Sequence, residues 1–78
     1  MNVFDSLQGI FREVFDDENI TLLEDTSPDD IEGWDSLAQI NIILACESSF
    51  GIKFDINDVL GIKSVADIVT IIEGKLRL

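Results

Sequence analysis

Few side chains in this sequence have types that support chemistry, and most of those are carboxylates. The 78 residues hold 16 Asp and Glu against five Lys and Arg, with no His and one Cys. Without His, neither a zinc site nor a histidine-activated nucleophile can be built, and Cys46 alone forms no internal disulfide. An EF-hand calcium loop needs alternating oxygen ligands, a sixth-position glycine and a glutamate at the twelfth. With Gly33 placed sixth, Pro28 falls first and Gln39 twelfth, so that motif fails. Cys46 sits on an apolar helix side between Ile42 and Phe50, where it acts as a small hydrophobe and not as a reactive thiol. Trp34 has two readings, a lid over the core and a contact for a ligand or partner. Asp35-Ser36 joins an acidic loop to an apolar helix, and on its own the pair is a cap for free backbone N–H groups.

The whole chain sets the frame for these residues. Seventy-eight residues make one domain, 1–78, which buries only ~60% of its unfolded surface and leaves no room for a large multi-substrate active site. A net charge of -11 and a pI near 4.1 repel phosphate backbones and anionic headgroups, so nucleic acid and membrane are excluded as partners. Leu, Ile, Val and Phe supply 30 of the 78 residues, well above the ~20% below which a chain stays disordered. The longest apolar run, Ile42 to Cys46, is far short of the ~20 residues of a spanning helix, and the start carries no basic-then-apolar signal. Together with the lone Cys, this makes a cytoplasmic location the expectation.

Helical spacing of Phe4, Leu7, Phe11, Val14 and Phe15, with Ile10 beside them, predicts a first helix capped by Asn2. Asp5 and Arg12 suit its two dipole ends. Periodicity then vanishes from Asp16 to Asp35, a long acidic loop that Ile20, Leu22, Leu23, Ile31 and Trp34 should pin over the core. A second helix is expected over Ser36–Ser49, with Ile42, Ile43, Cys46 and Phe50 inward, Leu37, Asn41, Leu44, Ala45 and Ser48 on the other side, and Gly51 ending it. Residues 52–56 alternate like a strand but have no partner strand, which makes them an extended connector. Asp55 caps a short helix through Leu60, and Ser64 to Asp67 reads as a capping box before a last helix on Val65, Ile68, Val69, Ile72 and Leu76, with Lys75 and Arg77 at its end. The expected fold is all-α: a small four-helix bundle of three longer helices and one short one.

Set in that order, Gly33-Trp34-Asp35-Ser36-Leu37, the apolar helix ending Phe50-Gly51-Ile52 and the two helices that follow resemble the acyl carrier protein family across nearly the whole chain. The resemblance implies that Ser36 receives a 4'-phosphopantetheine arm, covalently attached from coenzyme A by a phosphopantetheinyl transferase, and that Asp35 helps the transferase engage through its metal ion. It implies a monomeric carrier, not an enzyme, that holds acyl groups as thioesters on the arm's thiol and presents them to acyl-loading and acyl-processing enzymes. Placing Ser36 at a helix N-terminus suits the arm's phosphodiester. An aliphatic cargo is expected to slip between the helices.

The sequence departs from the fatty-acid-synthesis members of that family, which carry several acids along the second helix. Here the matching positions read Ala38, Asn41 and Ser48, and Glu47 is the one acid of that helix. The expected partner contacts are Trp34, Leu37, Asn41, Leu44 and Ser48, with apolar contact weighing more than electrostatic steering. Gly-Trp-Asp-Ser-Leu is more similar to stand-alone carriers of specialised acyl, polyketide or surface-polysaccharide pathways. A peptidyl carrier is the alternative within the family type, although Trp34 stands where those domains usually have glycine. An unmodified acidic helical module that binds a basic partner is the alternative of another class.

Overall fold

The computed structural model describes residues 2–77. Four helices follow one another: α1 (Val3–Val14), α2 (Ser36–Phe50), α3 (Ile56–Leu60) and α4 (Val65–Leu76). Among the described residues there is no strand, and residues 52–55 form the extended connector expected from the lack of a partner strand. The three longer helices and one short helix match the all-α expectation, with α2 running one residue further, through Phe50.

The ends form where the capping residues stand. Asn2 accepts from the Asp5 N–H at 3.2 Å and starts α1. Gly51 ends α2 at φ 67°, a left-handed conformation that disfavours any residue with a Cβ. Asp55 and Asp58 cap α3 reciprocally, each carboxylate accepting from the other's backbone N–H at 2.8 and 3.0 Å. At α4 the predicted capping box of Ser64 and Asp67 forms, and the Asp67 carboxylate accepts from the N–H groups of Ser64 and Lys63.

α1 packs on α2 and α4. The core joins Leu7, Ile10 and Phe11 of α1, Ala38, Ile42 and Cys46 of α2, and Val65, Ile68 and Ile72 of α4, with Leu22, Trp34 and Ile52 added from the connections. The remaining predicted stripe residues sit at its margin: Phe4, Val14, Phe15, Phe50 and Val69 are half-buried, and Leu76 is exposed. Burial pushes the Cys46 thiol up to about 12, with the Glu47 charge adding to the effect, so at neutral pH it is a protonated core residue.

The loop at 16–35 is tied down by polar bonds as much as by apolar contact. Gln8 Oε1 accepts from the Leu22 N–H at 2.8 Å, and the Thr26 and Glu24 carbonyls accept from the Val65 and Ala66 N–H groups at the start of α4. Arg12 stands in the last turn of α1 as expected and also donates from Nε to the Ile20 carbonyl at 2.8 Å. Leu22 is buried as expected, but its neighbour Leu23 is exposed. A turn in which the Thr26 hydroxyl accepts from the Leu23 N–H holds that residue outward.

α3 contributes no buried residue. Its outer attachment is the Lys75 to Asp58 ion pair, 2.9 Å, so Lys75 is spent on α3 and not on the α4 dipole alone. The Asp55 N–H foremost, and then Lys75, hold the Asp58 carboxyl below its ordinary value. Because the folded value is the lower one, this stabilisation is complete above the ordinary carboxylate range and is lost as pH falls through the lowered value.

Candidate functional site

At the loop–helix junction, Gly33 takes φ 90°, and the chain turns so that the Asp35 N–H donates to the Gly33 carbonyl at 2.9 Å. Asp35 is then the N-cap of α2, and its Oδ1 accepts from the Ala38 N–H at 2.9 Å. Sequence reasoning left the cap open between Asp35 and Ser36, and the geometry gives it to Asp35. Ser36 is the first helical residue, exposed, with its hydroxyl free of the capping role. A group esterified to that oxygen would meet the positive end of a 15-residue helix.

A cap of this kind has a measurable cost. Asp35→Ala should lower stability by ~0.5–2 kcal/mol, whereas Asp35→Asn, which keeps a side-chain acceptor, should change it by no more than a few tenths. Urea denaturation of the two variants separates the cap from the charge, and equal losses in both would contradict the assignment.

Beside Ser36 runs a groove of about 520 Å³, lined on one side by Trp34, Gln39 and Ile40 and on the other by Val59, Leu60 and Ile62. Ser36 and Ile40 lie one turn apart on α2, so a chain leaving the serine along the helix enters this groove. The site suits an elongated substituent with a phosphate at its root. Its root oxygen is open, the helix end favours an anion, and the apolar walls can hold a flexible body. No residue of α2 is basic, so any cations that help attach such a substituent must come from the attaching enzyme. Among the described residues no cluster of three or more Cys, Asp or Glu is arranged to hold a metal ion.

The residues expected to meet partners divide into two sets. Leu37 and Leu44 are 67% and 57% exposed, and Asn41 and Ser48 are exposed with them, so α2 presents one stripe with the spacing i, i+4, i+7, i+11. Trp34 does not belong to it. The indole is 7% exposed, packed edge-on against Phe11 with ring centroids 5.0 Å apart, which makes it the core lid with one edge on the groove and removes it from the partner contacts. Ala38 is a second correction. At 8% exposure it belongs to the buried face, and it offers no docking position for an acid.

Sequence reasoning missed Ile40, 55% exposed beside Leu37 and Leu44, and the exposed Ile56 and Leu60 of α3. The i, i+3, i+7 spacing of Leu37, Ile40 and Leu44 was the available signal, hidden because α2 is apolar on nearly every side. The helix's one acid is also not free for steering, since Glu47 accepts from the Phe54 N–H at 2.9 Å and anchors the connector.

Comparison with known proteins agrees with this geometry. Residues 5–72 match the family described as a phosphopantetheine attachment site. The chain is 34% identical over 74 residues to an acyl carrier protein of Thermotoga maritima, covering 95% of this chain and 91% of that one. Its fold superposes on the solution structure of a holo acyl carrier protein from Geobacter metallireducens with a TM-score of 0.91, at 41% identity over 97% of this chain and 87% of the other.

Proposed function

Because the chain belongs to the acyl carrier protein family, we propose that Ser36 bears its covalent 4'-phosphopantetheine and that the carrier serves a specialised acyl pathway. The observation behind the first part is an exposed serine hydroxyl at the α2 N-terminus, released from capping by Asp35 and opening onto an apolar-walled groove. As a family member the protein is a carrier and not an enzyme: the arm's terminal thiol holds the acyl group, and the enzymes that load and process that group supply the catalysis. The chain's own residues root the arm, orient it and present the docking face. Asp35 has two parts here. Its carboxylate fixes the first turn of α2 and offers a charge to the metal ion of the phosphopantetheinyl transferase. Among the described residues, no helix is long and apolar enough to cross a membrane.

The specialised reading rests on the α2 stripe. Leu37, Ile40 and Leu44 give it an apolar centre, and Asn41 and Ser48 stand where fatty-acid carriers would bear acids. An exposed ion pair contributes at most ~1 kcal/mol, so two missing acids weaken docking to a basic enzyme patch by up to roughly thirtyfold. Asn41→Glu with Ser48→Glu should therefore raise turnover by general fatty-acid enzymes and steepen its fall with salt. Leu44→Ala should mainly harm the natural partner. If the unaltered chain already serves fatty-acid enzymes as well as their own carrier does at ordinary salt, a housekeeping role replaces the specialised one.

The groove also suggests where cargo rests. An aliphatic chain lying against Ile40, Val59, Leu60 and Ile62 would gain ~0.8 kcal/mol for each CH2 it buries. Amide shifts of Val59 and Leu60 should then move progressively as the acyl chain lengthens, and changes confined to the neighbours of Ser36 would contradict that placement.

A further inference from the structure

One polar contact in the groove does more than hold the fold. The Trp34 indole N–H donates to Gln39 Oε1 at 2.7 Å, and both side chains line the groove that opens beside Ser36. An indole N–H can only donate, so it fixes which end of the Gln39 amide faces it: the oxygen turns to Trp34 and the Nε2 group, with its two donors, turns away. Among the described residues no buried side-chain nitrogen or oxygen lacks a partner, so these donors are not sealed in the core. Gln39 is half-buried and stands three positions after Ser36, about one turn along α2 and on the same side.

We propose that Gln39 is an arm-positioning residue: braced by Trp34, it donates from Nε2 to an amide carbonyl of the phosphopantetheine arm rooted on Ser36. This rests on the reading of Ser36 as the attachment site. The arm's two amides place acceptor oxygens along its length, and a carboxamide held by a rigid indole is a better donor than a free side chain, because less rotamer freedom is lost when the bond forms. Beyond Asp35 and Ser36 at the arm's root, the other groove walls are apolar, so Gln39 fixes the arm's register while Ile40, Val59, Leu60 and Ile62 accept it at any register. With the arm held along α2, the thiol takes one preferred position on the carrier surface and does not sweep freely through solvent.

Two variants separate positioning from mere bracing. Gln39→Glu keeps an oxygen for the Trp34 N–H but has no donor for the arm. Gln39→Met removes both. Each protein is first loaded and its intact mass and modified peptide determined. The arm is then carried with isotope-labelled amides, and its NMR shifts are compared with those of free pantetheine, alongside the Trp34 indole N–H resonance and the melting temperature. In the unaltered holo-protein the arm amides should be displaced from their free values. Gln39→Glu should return them most of the way, with the indole resonance still hydrogen-bonded and the melting temperature nearly unchanged. Gln39→Met should release both arm and indole. Arm shifts that are the same in Gln39→Glu and the unaltered protein would overturn the inference and leave Gln39 as a brace for Trp34. Loading at a residue other than Ser36 would show up first, in the peptide map, and would overturn the reading beneath it.

Discussion

Ser36→Ala should abolish attachment of the arm and leave the fold in place. The six serines of the chain are Ser6, Ser27, Ser36, Ser48, Ser49 and Ser64. Ser36 is the one at the start of α2 beside the groove, with the N-cap already supplied by Asp35. The sequence alone allowed for loss of a cap at this position, but in the structure no cap is lost. Alanine is also the stronger helix former, so the variant's stability should stay within ~0.5 kcal/mol of the unaltered chain. The expected result is therefore a complete loss of one property beside near-identity in the other, read by intact mass and by urea denaturation of the same sample. Continued loading of Ser36→Ala would refute the site, and a large stability loss would show that the hydroxyl has a structural bond that the geometry does not give it.

Trp34→Ala acts the other way, on the fold. The indole is nearly buried, meets Phe11 edge-on and donates to Gln39. Truncating such a side chain costs ~3–5 kcal/mol. At roughly 0.05–0.15 kcal/mol per residue, a chain of this length holds only about 4–12 kcal/mol in all, so the variant should lose a large share of its stability and melt well below the unaltered chain. Trp34→Phe keeps an aromatic edge against Phe11 and loses the N–H, and should cost about 1–2 kcal/mol. Thermal denaturation followed by far-ultraviolet circular dichroism distinguishes the three proteins. If Trp34→Ala melts with the unaltered chain but fails to engage partner enzymes, Trp34 is a docking residue and not a lid.

These two residues also mark how far the sequence could be read. α1 was legible because its apolar residues keep one period and Asn2 stands at its start, and the ends at Gly51 and Asp55 were legible from capping chemistry. α2 was legible as a helix but not in its orientation. A helix apolar on nearly all sides gives no contrast between faces, so Ala38 was placed outward and Ile40 was passed over. The loop offered no period at all. Leu22 and Leu23 look equivalent in sequence, and only the Thr26 turn and the Gln8 bond decide that one goes in and the other out. Ser36 was found through resemblance, since by its residue chemistry alone Asp35-Ser36 is a helix cap. The bond between Trp34 and Gln39 joins a loop residue to a helix residue five positions on, and no local pattern announces it.

The most direct test of the account is the mass of the unaltered protein after incubation with coenzyme A and a broad-range phosphopantetheinyl transferase, followed by mapping of the modified peptide. The account predicts a gain of one phosphopantetheine per chain, carried on the peptide that contains Ser36. No gain, or a gain carried on any other residue, would contradict it.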